Sequence, residues 1–208
     1  LLQSLEQQTV QNFEVIVVDD CSPNAIKIDR TFHFPVRLIR NEANAGPAKS
    51  RNTGAEYAQY DWLLFLDDDD RFANNKCELL AQTIHDKPSV NFIYHPAKCE
   101  MVNEGFSYIT HPLPPEQLSL EKMLLANKIG GMPMMAIQKT FFFALCGLST
   151  ELKALEDYDF VLKLVSHADF KAAYVNEPLS LCAFHTKRSS VSTNTESTEK
   201  AIELIRQQ

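Results

Sequence analysis

Four consecutive aspartates, at positions 67–70, follow the strand-like segment 61–66, which is apolar after its first residue. A short apolar run of this kind is typical of a strand buried on both faces, as in a parallel sheet. Adjacent carboxylates repel one another, at a cost on the order of 3 kcal/mol per pair at about 5 Å and an effective dielectric constant near 20. A divalent cation with bound phosphates would relieve that repulsion at the sheet edge where α/β folds bind ligands. The feature therefore predicts a strand followed by a cation site, with a solvated acidic turn as the alternative.

The rest of the chain alternates strand-like apolar runs with segments of helical periodicity. A run bounded by turn residues predicts a strand, and apolar residues three and four positions apart predict a helix. Strands are predicted at 13–18, 35–40, 61–66, 90–94, 172–175 and 179–184. Helices are predicted at 47–57, 75–85, 118–126, 138–145, 156–167 and from 198 onward, and 96–133 is otherwise irregular. This order predicts an α/β fold with a mostly parallel, Rossmann-like sheet flanked by helices.

Composition excludes several other classes of protein. The 208 residues, 45% apolar and 23% charged, suit one globular domain rather than a disordered chain. Twenty basic against 27 acidic residues, a net charge of −7, leave no basic surface for nucleic acid. No apolar run reaches the roughly 18–20 residues of a membrane span. Five scattered cysteines without a C-x-x-C pair are typical of reduced packing residues in a cytosolic protein.

Three further groups of residues could carry chemistry. Asp19 and Asp20 follow an earlier strand, which suggests one crevice that holds a polar ligand from two sides, although each could be a turn residue. Arg51 shares a helix face with small apolar residues and needs an anionic partner there, unless it projects into solvent. Glu156 and Asp157 open a helix, where carboxylates stabilise the first turn and where one could also act as a general base.

Taken in order, these motifs resemble the inverting family 2 glycosyltransferases of the GT-A fold. Their pattern runs from Q-T and E-hydrophobic-D-D, through an N-x-G…A-R-N-x-G helix and F-L-D-x-D-D, to G-hydrophobic…E-D. This chain carries QT at 8–9, FEVIVVDD at 13–20, NAGPAKSRNTG at 44–54, FLDDDD at 65–70, CGL at 146–148 and EDYDF at 156–160. It departs from the pattern at Cys21, where glycine is usual, and at Ala183, where arginine commonly precedes the histidine of a late H-x-x-S-x-S-like signature.

The resemblance implies a role for each matching residue. Asp157 matches the catalytic base, with Glu156 beside it. Mn²⁺ or Mg²⁺ would bridge the donor diphosphate, held by Asp69 and Asp67 and approached by His185. The residues implied in nucleotide binding are Asp19, Asp20, Asn44, Gly46, Arg51, Asp67 and Asp68.

The resemblance also implies how the whole chain is organised and used. It predicts one GT-A domain, with a nucleotide-sugar-binding half at 1–95, an acceptor-binding and catalytic half at 96–192 and a C-terminal helix at 193–208. The donor would be a nucleotide sugar, by default a UDP-sugar, and the acceptor a saccharide or a lipid-linked saccharide of bacterial polysaccharide or glycolipid synthesis. We expect a cytoplasmic enzyme; contact with the inner face of a membrane and a homodimer are left open.

Three other classes of protein share part of this pattern, and one strand of the family's fold is missing from the sequence. A D-x-D-x-T phosphatase lacks its threonine here, and six glycines are too few for the Gly-rich loop of a nucleotidyltransferase. A non-catalytic nucleotide- or sugar-binding relic of the same fold is the stronger alternative, since a fold alone does not establish activity. The family's first strand has no counterpart. We expect either roughly 10–15 further residues upstream of Leu1, enough for a strand and its turn, or a strand supplied by another chain through strand exchange.

Overall fold

A computed structural model describes residues 1–185 and 195–207. The helices are α1 (Leu2–Glu6), α2 (Gly46–Tyr57), α3 (Lys76–Asp86), α4 (Leu120–Leu125), α5 (Lys139–Ala144), α6 (Glu156–Ser166) and α7 (Thr195–Arg206), with single 3₁₀ turns at Pro115–Gln117 and Met132–Met134. The strands are β1 (Val15–Asp19), β2 (Val36–Arg40), β3 (Trp62–Leu64), β4 (Arg71–Phe72), β5 (Phe92–Tyr94), β6 (Ala97–Met101), β7 (Phe106–Ile109), β8 (Met135–Gln138), β9 (Ala172–Tyr174) and β10 (Ser180–Phe184).

These strands form three sheets, with the orders β1-β2, β3-β8-β5-β9 and β4-β10-β6-β7. The α/β class is confirmed, but the pairing is mixed rather than mostly parallel. Parallel pairs join β1 to β2, β5 to β9 and β6 to β10. Strand β8 runs antiparallel to both β3 and β5, and β10 and β6 each have an antiparallel neighbour in β4 and β7.

The antiparallel strands account for the difference from the prediction. Strands β6 and β7 lie inside the segment predicted to be irregular, because their residues lack the continuous apolar run that marks a doubly buried strand. Strand β8 precedes a predicted helix that begins one residue later than expected, at Lys139. Strands β6 and β7 are partly or fully exposed and depend on their partners more than on their own composition, whereas β8 is mostly buried.

The sheet β3-β8-β5-β9 is covered by helices on both faces. Side chains alternate along its strands, so Leu63, Phe92 and Ile137 join one apolar cluster while Ile93 and Ala136 join another. The larger cluster includes residues of α2, α5 and α6, and the smaller one includes Leu80 of α3. This packing brings α2 and α6, which carry Arg51 and Asp157, onto the same face of one sheet.

Three sequence expectations concern the chain as a whole. Among the helices within the described ranges, none combines the length and the apolar character that crossing a bilayer requires. The five cysteines are all free, and only Cys99 is fully buried while Cys146 is exposed. The strand expected upstream of Leu1 stays a prediction.

Candidate active site

Arg51 joins the segment that follows β3 to the start of α6. Its guanidinium, 15% exposed, donates from Nη2 to Asp67 Oδ1 at 2.7 Å and from Nη1 to Glu156 Oε1 at 2.8 Å. Burial lowers the pKa of Arg51, but the two carboxylates outweigh burial and the net shift is upward. The expectation that this residue needs an anionic partner is therefore confirmed, and projection into solvent is excluded. Arg51 and Glu156 lie 105 positions apart in the chain, and the carboxylates of Asp67 and Glu156 meet at this one guanidinium.

The neighbouring Asn52 holds the loop that leads into α6. Its Nδ2 donates to Leu148 O at 2.8 Å, and its Oδ1 accepts from Leu148 N at 2.9 Å. Gly147 has a φ of 65°, and a Cβ built on it would lie 2.8 Å from Asn52 Oδ1. Glycine is thus required there by both conformation and space. Asn52 belongs to the motif at 44–54, but the sequence predicted no role for it.

Glu156 and Asp157 differ in environment although they are adjacent. Glu156 is buried and engaged by Arg51. Asp157 accepts from Tyr158 N at 2.8 Å through Oδ1, and its Oδ2 faces Gly131, where a Cβ would lie 3.4 Å away. Burial, followed by the charge of Glu156, raises the pKa of Asp157. Asp157 therefore has a raised pKa and, unlike Glu156, takes no part in the ion pair with Arg51.

The four aspartates after β3 serve different purposes. Asp67 pairs with Arg51, whereas Asp68 and Asp69 are exposed. Asp70 is 6% exposed and accepts from Ala183 N at 3.0 Å, so it joins the start of β4 to β10. Burial raises the pKa of Asp70, and the negative charges of Asp67 and Asp69 raise it further, while the hydrogen bond from Ala183 lowers it. The net result is a pKa of about 6.

The expected metal ligands are not gathered into a protein cage. Within residues 1–185 and 195–207, no group of three or more His, Cys, Asp or Glu side chains is arranged to hold a metal ion. Asp67, Asp69 and His185 stay a prediction as metal ligands, and Asp67 accepts a hydrogen bond from Arg51 through Oδ1. The exposed carboxylates still fit Mg²⁺ or Mn²⁺, since such ions are commonly held by one or two carboxylates together with substrate phosphates and water.

The aspartates after β1 are engaged by the protein itself. Asp19 is 1% exposed, accepts from Ser22 N at 2.9 Å and pairs with Arg40. Hydrogen bonds from Ser22 lower the pKa of Asp19, and the hydrogen bond from Arg40 lowers it further, while burial raises it. The net result is a pKa of about 2. Asp20 accepts from Ala45 N at 2.9 Å and from Gly46 N at 2.8 Å, so its side chain satisfies the amino end of α2.

Two further predicted residues lie at the margins of this site. Asn44 is exposed and donates to Asp20 O at 3.2 Å. His185 directly follows β10 and is partly buried. The hydroxyl residues of its signature fall at 186–194, outside the described residues. The contacts of the predicted residues with a nucleotide stay a prediction.

Comparison with known protein families supports the motif assignment. The model of the family described as "Glycosyl transferase family 2" matches residues 1–144. An uncharacterized glycosyltransferase of Haemophilus influenzae is 59% identical over 207 residues, which cover 100% of this chain and 70% of the relative. The Escherichia coli protein WfgD, named as a UDP-Glc:alpha-D-GlcNAc-diphosphoundecaprenol beta-1,3-glucosyltransferase, is 27% identical over 93% of this chain and 73% of its own.

Solved structures agree on the fold. Staphylococcus aureus TarS in complex with UDP-GlcNAc superposes with a TM-score of 0.74 at 19% identity, covering 99% of this chain and 60% of TarS. GalNAc-T7 with UDP, GalNAc and Mn²⁺ gives a TM-score of 0.66 at 19% identity, covering 97% of this chain and 44% of its own. The chain thus spans about three fifths of TarS or less than half of GalNAc-T7. By its motifs, its fold and its relatives, the chain belongs to glycosyltransferase family 2 and has the GT-A fold.

Proposed function

We propose that this glycosyltransferase moves a sugar from a UDP-sugar to an acceptor hydroxyl with inversion at the anomeric carbon. The UDP-sugar is supported by the donor in the name of WfgD and by the UDP-GlcNAc complex of TarS. A lipid-linked saccharide is the acceptor class named for WfgD, and it is the class we propose for this chain.

Asp157 is proposed as the general base, and the single observation that supports it is the division of labour between the paired carboxylates. Arg51 occupies Glu156, whereas Asp157 keeps an oxygen beside Gly131 and has a raised pKa. A base is efficient when its pKa approaches the working pH. Asp157 would take the proton of the acceptor hydroxyl as that oxygen attacks the sugar from the side opposite the diphosphate.

On the donor side, Asp69 and Asp68 are proposed to meet the diphosphate through Mn²⁺ or Mg²⁺. When bound, the cation supplies charge neutralisation for the departing nucleoside diphosphate. Asp67 is proposed to bind the cation once it releases its hydrogen bond with Arg51. His185 is proposed as a further contact of the cation. Asp19, Asp20, Asn44 and Gly46 are proposed to shape the nucleotide site through the amino end of α2, which Asp20 binds through two backbone amides.

The test compares the Asp157 carboxylate with a distant, exposed one. The protein is incubated with UDP-GlcNAc, UDP-glucose and UDP-galactose in the presence of Mn²⁺, with water as the acceptor of the sugar, and the release of UDP is followed. Asp157→Asn should lower the release by about 10²–10⁴-fold, the range typical of losing a general base. Titration calorimetry with UDP should give the same affinity for Asp157→Asn as for the parent protein.

Two controls make this result specific. Asp61→Asn, at an exposed carboxylate preceding β3, should leave the release unchanged. Chelation of the cation with EDTA should weaken UDP binding, and equal affinity with and without EDTA would refute the metal role. A parent rate in Asp157→Asn would assign the base to another residue, and no release from any donor would favour a non-catalytic binding protein.

A further inference from the structure

A lysine is buried in the interior, close enough to Asp70 for their charges to interact, and no carboxylate is among its hydrogen-bond partners in the described residues. Lys76, at the start of α3, is 0% exposed, and its ammonium sits 3.6 Å from the centre of the Phe72 ring. Its Nζ donates to Pro133 O at 2.7 Å and to Ser180 Oγ at 3.0 Å. No salt bridge to Lys76 occurs within the described part of the chain.

The energetics of this arrangement do not favour stability. An ammonium taken out of water and given only neutral partners carries a large desolvation cost, and an apolar side chain of similar length is often as stable or more stable there. Burial lowers the pKa of Lys76 to about 7, although interactions with Cys77, Cys182 and Asp70 raise it in part. The lysine is therefore better explained by what it holds than by what it adds to folding.

The carbonyl that Lys76 holds belongs to a turn that reaches Asp157. Ser180 Oγ donates to the same Pro133 O at 2.6 Å, so ammonium, hydroxyl and carbonyl form a closed triangle. The turn is closed by Met134 N donating to Gly131 O at 2.9 Å. Gly131 is the residue that faces Asp157 Oδ2. One buried cation thus connects α3 and β10 to the turn that covers the carboxylate.

We propose that Lys76 is a positioning residue for Asp157, acting through the Pro133 carbonyl to keep Gly131 against that carboxylate. The role rests on the proposed function for its catalytic meaning, but the geometry can be tested without it. If the turn is released, water gains access to Asp157 and the burial that raises its pKa decreases.

The experiment measures the pKa of Asp157 in Lys76→Met by carbon-detected NMR of the carboxyl group. Methionine keeps the length and the contact with Phe72 but cannot donate to Pro133. The pKa of Asp157 should fall toward the ordinary aspartate value of about 3.9. Loss of a positive charge acting directly would raise that pKa instead, so the sign separates the two explanations. Lys87→Met, at an exposed lysine just after α3, should leave it unchanged.

Activity provides a second measurement. Lys76→Met should lower UDP release from UDP-GlcNAc with Mn²⁺ by up to about 10²-fold, as a misplaced reacting group does, with UDP affinity unchanged. A folded Lys76→Met protein with the parent Asp157 pKa overturns the proposal. If that variant does not fold, Ser180→Ala removes one side of the triangle and should lower the Asp157 pKa in the same direction; an unchanged value there overturns the proposal too. Absence of UDP release by the parent would refute the proposed function, while the NMR result would still decide the role of Lys76.

Discussion

Replacing Arg51 by methionine tests whether the ion pairs at this residue hold the site together. The guanidinium is 15% exposed and Glu156 is 11% exposed, so their contact is a buried pair. The Asp67 side chain is 42% exposed, so solvent screens the second contact. Arg51→Met keeps an apolar stem in the small-residue face of α2 but leaves the Glu156 carboxylate buried without its cation.

The magnitude follows from these exposures. Removing one partner of a buried pair costs about 3–5 kcal/mol, because the remaining charge stays desolvated. The screened contact with Asp67 adds at most about 1 kcal/mol. We therefore expect Arg51→Met to lower the free energy of unfolding by about 4 kcal/mol. For a chain of this size that corresponds to a fall in Tm of about 8–16 °C.

A double-mutant cycle provides the assay. Urea unfolding is measured for the parent, Arg51→Met, Glu156→Gln and the double variant, with Lys49→Met as the control at an exposed lysine on the same helix. The double variant should regain about 2–3 kcal/mol relative to Arg51→Met, because the uncompensated carboxylate is gone. Additive effects, or an Arg51→Met protein as stable as the control, would show that Arg51 and Glu156 do not form the buried pair.

Three other predictions concern stability. Gly147→Ala should destabilise the protein more than Gly105→Ala. Both glycines have a positive φ, but only a Cβ at Gly147 meets Asn52, at 2.8 Å. Equal changes in Tm would contradict this. The pKa of Asp70 is raised to about 6, so its ionised form disfavours folding once the pH exceeds the unfolded value of about 4. In EDTA, Asp70→Asn should therefore be more stable than the parent at pH 7, by up to about 3 kcal/mol, and should lose that advantage by pH 4; a parent-like pH profile would contradict it. The pKa of Asp19 is lowered to about 2. The ionised side chain therefore stabilises the fold above the pKa of unfolded aspartate, and this contribution is lost as the pH falls through about 2. The stability of Asp19→Asn, followed by circular dichroism, should change less between pH 4 and pH 2 than that of the parent.

Local patterns predicted much of this architecture. The strand before the four aspartates, the helix that carries Arg51 and the helix that begins at Glu156 all follow from apolar periodicity and short motifs. The requirement of Arg51 for an anionic partner followed from charge and burial alone. These features are local because a few adjacent residues determine each of them.

Contacts between distant segments could not be predicted in this way. Asn52 and Leu148 are 96 positions apart, and Lys76 meets Ser180 across 104 positions. Nothing in the residues around Asn52 or Lys76 specifies those partners, since an asparagine or a lysine on a helix usually faces water. For the same reason the sequence could not separate Glu156 from Asp157 by environment, because only the packing of α2 against α6 brings Arg51 to one of them.

The anomeric configuration of the released sugar tests the central claim most directly. The UDP-sugar that gives the fastest UDP release is mixed with the protein and Mn²⁺. Water then attacks in place of the acceptor hydroxyl, and the anomeric proton of the freed sugar is followed by NMR before mutarotation. A single in-line displacement assisted by Asp157 predicts that an α-linked donor gives the β anomer first, and that Asp157→Asn slows its formation. Release of the α anomer first, or an unchanged rate in Asp157→Asn, would contradict the account.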